Sequence, residues 1–160
     1  ERPWRQRWEL IRQVLVPYLR DARVLDLGCN MGMLSLHCLL NGAAKVTGVD
    51  RESDIVECAM QLSRIAGKEL HGCSGDLNDA GFVGELAGFP FDVVLALSFV
   101  HSLENKTPVL DLLSRVPVVL FEGHLTPNEE MQGLRELGFS DVRLIGYSDR
   151  LRGLYLARKS

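Results

Sequence analysis

Ionisable and hydroxyl side chains gather at the carboxyl ends of five short apolar runs in this sequence. The first run leads into Asp26-Leu27-Gly28-Cys29-Asn30-Met31-Gly32, and the second ends at Asp50. The third leads to Gly75-Asp76-Leu77, the fourth to Ser98-Phe99 with His101 close behind, and the fifth to Glu122-Gly123-His124. Carboxylates in such positions can accept from amines and hydroxyls. A glycine turn running into a helix brings bare backbone N–H groups against a ligand. Histidine is the side chain best suited to take a proton near neutral pH. Together these groups could hold a nucleotide-like molecule and act on an acceptor beside it.

The elements that must position these groups follow from periodicity. Residues 3–20 read as a helix: Pro3 suits its first turn, and Trp4, Trp8, Ile11, Leu15 and Leu19 recur every three or four positions. Arg2, Arg5, Arg7 and Arg12 make its start basic and are expected in solvent, although the two tryptophans could instead form a flap over a site. Strands are expected at 23–27, 45–49, 69–73, 91–97 and 117–121. The helices between them are expected at 31–41, 54–66 (capped at Ser53) and 106–115, with a poor helical signal over 80–86. Thr126 and Pro127 open a helix over 127–137, and two alternating runs at 142–147 and 154–158 read as a hairpin. Strands alternating with helices imply an α/β fold with a mostly parallel sheet. In such sheets ligands bind at the carboxyl ends of the strands.

A dinucleotide site would need G-x-G-x-x-G, with small residues where the helix meets a pyrophosphate. Here Asn30 and Met33 occupy the second and third glycine positions. Asp26 would also repel a pyrophosphate and favour a cation, such as the amino group of an amino-acid tail.

The sequence Asp26-x-Gly28-x-Asn30-x-Gly32 resembles the first motif of class I S-adenosylmethionine-dependent methyltransferases. Asn30 replaces the usual middle glycine, and Asn tolerates the left-handed backbone such a turn demands. The likeness runs from about residue 20 to the C-terminus. It implies a Rossmann-like three-layer sandwich whose seven-stranded sheet has the order 3-2-1-4-5-7-6, the last strand antiparallel. It implies S-adenosyl-L-methionine as cofactor, with S-adenosyl-L-homocysteine as product. Asp26 would then hold the amino group of the methionine tail, over the backbone of Gly28, Cys29, Asn30 and Gly32. Asp50 would accept from the ribose hydroxyls, with Arg51 flanking the adenine. Asp76 would receive the adenine amino group, with the Leu77 N–H meeting a ring nitrogen, and Ser98 and Phe99 would line the side facing the methyl group. Taken singly, Asp50 could cap a helix and Asp76 could serve a turn. Three acids after three successive strands are harder to attribute to capping alone.

Methyl transfer requires an acceptor aligned with the methyl carbon and, for a hydroxyl or amine, removal of a proton. His101, Glu122 and His124 are the candidate bases. They could alternatively hold a divalent metal, although none is expected, and His101 could be a surface or capping residue. His37 and His71 fall inside elements and are not expected to function. No Asn-Pro-Pro-Tyr-like sequence and no Pro-Cys pair follow the fourth strand, and no insertion builds a substrate domain. The expected acceptor is a small molecule or exposed group, methylated on oxygen or nitrogen. Arg150 and Arg152 in the hairpin turn could attract an anionic one, although a solvated pair of charges is the expectation there.

Composition sets the frame. With 18 basic and 21 acidic side chains the net charge is −3, which gives no strong nucleic-acid signal. No apolar run is long enough to span a bilayer. The four cysteines lack metal or redox spacing, and Cys29 and Cys38 read as core residues of a cytoplasmic protein. One domain over 1–160 is expected, made of the helix 1–20, a cofactor-binding half 21–125 and a terminal part 126–160. The chain opens on Glu1, so fusion to another domain stays open. The competing expectation is a non-catalytic Rossmann-like scaffold or interaction domain of a larger protein.

Overall fold

A computed structural model of the chain describes residues 3–148 and 150–160, with side chains from Arg7 onward. Seven strands share one sheet: β1 (Arg23–Leu27), β2 (Lys45–Asp50), β3 (His71–Ser74), β4 (Val93–Leu97), β5 (Val118–Glu122), β6 (Asp141–Tyr147) and β7 (Gly153–Arg158). Their order is β3-β2-β1-β4-β5-β7-β6, parallel except for β7, which runs antiparallel to both β5 and β6. Six helices flank it: α1 (Pro3–Leu15), α2 (Met33–Leu40), α3 (Ser53–Ile65), α4 (Ala80–Ala87), α5 (Thr107–Leu113) and α6 (Pro127–Glu136).

The central strands are apolar throughout because both faces are covered. Val93, Leu95 and Leu97 of β4 pack into a core with Trp8, Ile11 and Leu15 of α1 and Cys38 of α2. Val94 and Ala96 turn to the opposite core, with Val83 of α4, Val109 of α5 and Leu134 of α6. The period-two alternation fixes which polar residues face which layer. Asp26 continues the row of Val24, and Glu122 that of Val118 and Leu120, so both point to the α1–α2 side.

Several boundaries differ from expectation for identifiable reasons. The first helix stops at Leu15 and continues as a 3-10 turn over Val16–Tyr18. Pro17 lacks the N–H needed to extend the α-helical ladder. Helix α3 begins at Ser53, its N-cap is Glu52, and no side chain caps it. The weakly helical segment is a full helix, α4, because Asp79 accepts from the N–H groups of Gly81 (2.8 Å) and Phe82 (3.3 Å). Helix α6 carries the capping box formed by Thr126 and Glu129. Trp8 is no flap: it is buried and stacks on His37 of α2, ring centroids 4.4 Å apart, which seats α1 on the sheet. Arg2 and the side chains of Trp4 and Arg5 lie outside the described residues.

Candidate functional site

The loop after β1 turns through three left-handed residues, Gly28 (φ 69°), Asn30 (φ 50°) and Gly32 (φ 72°). Asn30 stabilises its own unusual backbone, since its Oδ1 accepts from the Met31 N–H at 2.6 Å. Its N–H donates to Asp50 Oδ2 at 3.0 Å, which ties the loop to the end of β2. Gly32 is also required by space, because a Cβ there would stand 2.8 Å from the Cβ of Ala59.

Asp26 sits beneath this loop, 3% exposed, with Ser35 Oγ of α2 donating to its Oδ2 at 2.6 Å. Burial raises its pKa to about 6, against the opposing effects of the Ser35 hydrogen bond and the nearby Arg7. A buried carboxylate held by one neutral donor is a ready partner for a cation.

Asp50 and Asp76 line a cleft of about 460 Å³ with Gly28, Leu77 and Phe99. Each oxygen of Asp50 accepts one backbone donor, Oδ2 from Asn30 and Oδ1 from Glu52 at 3.3 Å. A carboxylate offers about four lone-pair sites, so both oxygens keep room for a further donor. On Asp76, Oδ1 accepts the backbone N–H (2.9 Å) and side-chain amide (3.1 Å) of Asn78, so this acid does serve a turn as well as facing the cleft. Its Oδ2 meets no donor among the described residues. Arg51 reaches the cleft but is highly exposed and pairs with Glu52. Cys29 contributes only backbone: its N–H donates to Val49 O, while its thiol is buried against Gly48 and pushed up to about 12, chiefly by desolvation.

A second cavity of about 330 Å³ opens past the ends of β4 and β5 and is lined by His101, Lys106, Glu122 and His124. The three candidate bases are thus brought together. His101, in a 3-10 turn, and His124 lie ring against ring, with centroids 3.3 Å apart. Both imidazoles are held below their ordinary pKa, first by desolvation. For His101 the Arg152 and Lys106 charges add to this, and for His124 His101 and Arg152 do.

Glu122 differs from its expected place in a loop. It is the last residue of β5, 2% exposed, ion-paired to Arg7 of α1, and accepts from Ser148 Oγ at 2.9 Å. Among the described residues no three His, Cys, Asp or Glu side chains form a metal-ligating group. Ser98, also left-handed at φ 72°, accepts from Arg152 of the hairpin turn.

Arg7, Ser35, Asn78 and Arg152 were thus missing from the expected site. Two of them left a trace in the sequence: Arg152 as a charge in the hairpin turn, and Arg7, which stands four positions before Ile11 and eight before Leu15, on the apolar stripe of α1. An arginine on that stripe needs a buried partner.

A seven-stranded sheet of this order, with a glycine turn after β1 and acids ending its neighbours, is the architecture of class I methyltransferases. Residues 24–118 match the family model described as a methyltransferase domain, and the chain belongs to that family, whose members depend on S-adenosylmethionine. The bifunctional kinase-methyltransferase WbdD superposes with a TM-score of 0.72 at 26% identity, over 96% of this chain and 39% of WbdD. Magnesium protoporphyrin IX methyltransferase (ChlM) from Synechocystis PCC 6803, solved with bound SAM, gives a TM-score of 0.72 at 17% identity, over 99% of this chain and 79% of ChlM. EvdMO1 gives 0.73 at 15%, over 94% and 40%. The chain therefore spans about two fifths of the length of WbdD. No helix among the described residues is long and apolar enough to cross a membrane.

Proposed function

We propose that this domain binds S-adenosyl-L-methionine in the cleft between the ends of β1, β2 and β3 and methylates an oxygen or nitrogen acceptor presented at the cavity beyond β4 and β5. The observation that carries the reading is the convergence of Asp26, Asp50 and Asp76 around one glycine turn, each with acceptor capacity left over.

The donor set suits such a cofactor. Asp26 supplies a buried anion for the amino group of a methionine tail. The unused lone pairs on both Asp50 oxygens match a vicinal diol, and Asp76 Oδ2 with the Leu77 N–H matches an adenine edge. Gly28, Cys29, Asn30 and Gly32 offer close backbone approach, and Phe99 closes the cleft, since even a Cβ on Gly28 would stand 3.4 Å from its ring. Arg51 flanks the rim, and Ser98 stands between cleft and acceptor cavity. When bound, the cofactor supplies an already activated sulfonium methyl. The chain's own task is then to align the acceptor and exclude water. His101 and His124 are the groups that meet the acceptor. Glu122, neutralised by Arg7, fixes α1 over the site instead of acting as a base. The domain is read as one unit over residues 1–160, free to stand alone or within a larger protein.

Titration calorimetry with S-adenosyl-L-methionine and S-adenosyl-L-homocysteine tests the reading. Saturable binding of both is expected. Absence of binding by the folded wild type would leave the scaffold reading in its place.

A further inference from the structure

Each carboxylate lining the acceptor cavity already accepts a hydrogen bond, whereas the lysine there has no carboxylate partner among the described residues. Glu122 is paired with Arg7. Glu129 is locked in its capping box, with Thr126 Oγ1 donating to its Oε2 at 2.6 Å. Glu130 Oε1 accepts from the N–H groups of His124 (2.8 Å) and Leu125 (2.9 Å), and Glu136 Oε1 accepts from Gln132 at 3.0 Å. Lys106, His101 and His124 line the same cavity. Arg152, half-buried on the hairpin turn, stands beside the cavity, near enough for its charge to act on His101 and His124, and spends one donor on Ser98 Oγ. Among the described residues neither Lys106 nor Arg152 has an ion-pair partner. A guanidinium carries five donors, so several of Arg152's remain to be satisfied.

We infer that the acceptor is an anionic oxygen, a carboxylate or a phosphate monoester, gripped by Arg152 and hydrogen-bonded by the His101–His124 pair. The inference rests on the cofactor site proposed above and names the substrate class for it. Arg152 presents planar, paired donors that match an oxyanion's geometry. Each imidazole carries at least one N–H to donate, whichever its protonation state. In the reaction a lone pair of the acceptor O⁻ forms the new O–C bond to the methyl carbon. The C–S bond breaks with its electron pair going to sulfur, giving a methyl ester and S-adenosyl-L-homocysteine. No proton moves. That balance explains why the one carboxylate fully buried at the cavity, Glu122, can be tied up in an ion pair, for an oxyanion needs no general base.

The test is binding, read separately from turnover. With the protein saturated by S-adenosyl-L-homocysteine, the imidazole NMR signals of His101 and His124 are followed while benzoate, phenyl phosphate or the neutral benzamide is added. Either anion should shift both signals, and benzamide should not. The tighter anion identifies a carboxylate or a phosphate monoester as the acceptor group. Arg152→Gln should weaken anion binding roughly 10–100-fold, the range for a lost charge-assisted hydrogen bond. Arg152→Lys should recover part of it, and affinity for S-adenosyl-L-homocysteine should be the same in all three proteins. Equal binding of benzamide, silence of both anions, or an unchanged anion affinity in Arg152→Gln overturns the proposal. If S-adenosyl-L-homocysteine itself fails to bind, the cofactor reading fails, and this one falls with it.

Discussion

Arg7 of α1 forms an ion pair with Glu122 at the carboxyl end of β5, a partner 115 positions away in the chain. The pair clamps the first helix across the carboxyl ends of the strands, close enough to Asp26 to favour its ionised form. Its two members are unequal. Glu122 is 2% exposed and Arg7 is 23% exposed, so loss of the arginine strands the more buried charge.

Arg7→Ala should therefore destabilise the fold by about 3 kcal/mol, the lower end of the range for breaking a buried pair, because Arg7 retains some solvent. The double variant Arg7→Met with Glu122→Leu should cost less than Arg7→Ala alone. Chemical denaturation measures both, and a double variant worse than the single one would show that the pair is not a buried-charge problem.

Asp26 should set an opposing trend. Its pKa is raised in the folded state to about 6, from an ordinary value of 3.8. The folded protein therefore holds this proton more tightly than the unfolded chain does. The stabilisation it brings is full below about pH 4 and is lost as pH rises through 6. Above that the ionised carboxylate is a burden, so Asp26→Asn should stabilise the protein at pH 7.5 by about 1–3 kcal/mol and have little effect at pH 4. Melts at the two pH values decide it.

The same group should couple cofactor binding to pH. A cationic amino group requires Asp26 ionised, so affinity for S-adenosyl-L-homocysteine should fall below pH 6, by up to about tenfold per unit for one proton. Calorimetry from pH 5 to pH 8 should give a slope in the wild type and a flat, weaker profile in Asp26→Asn. A flat wild-type profile would remove the amino group from Asp26.

Asp50→Ala should weaken cofactor binding by about 1–3 kcal/mol, through lost charge-assisted hydrogen bonds. It should also loosen the turn, because the Asn30 N–H loses its acceptor. Hydrogen exchange at Asn30 would report the second effect with no ligand present, so the two contributions can be separated.

Gly32→Ala should destabilise by about 1–3 kcal/mol, since the residue combines a left-handed φ of 72° with room for only 2.8 Å between an added Cβ and the Cβ of Ala59. Gly67, also left-handed at φ 70°, has open space around it and serves as the control for backbone strain alone. Thermal melts should rank Gly32→Ala below Gly67→Ala.

Local chemistry along the chain determined a good deal. Apolar runs separated by amphipathic ones gave the α/β alternation, and the terminal hairpin gave the antiparallel β7. The spacing Asp26-x-Gly28-x-Asn30-x-Gly32, with Asp50 and Asp76 after the next strands, marked the side of the sheet where we propose the cofactor binds, because each of those residues sits on the strand end or turn that the local sequence forms. Strand ends were less legible: one residue of slippage at β5 turned Glu122 from a loop acid into a buried member of the sheet. What only the tertiary structure decided are pairings across the fold. Arg7 with Glu122, Arg152 with Ser98, and His101 with His124 join elements far apart in sequence, and no periodicity records which distant side chain a packed helix or a hairpin turn will meet. Burial did the rest, since desolvation raises Asp26 and silences Cys29, and it exists only once the layers close around them.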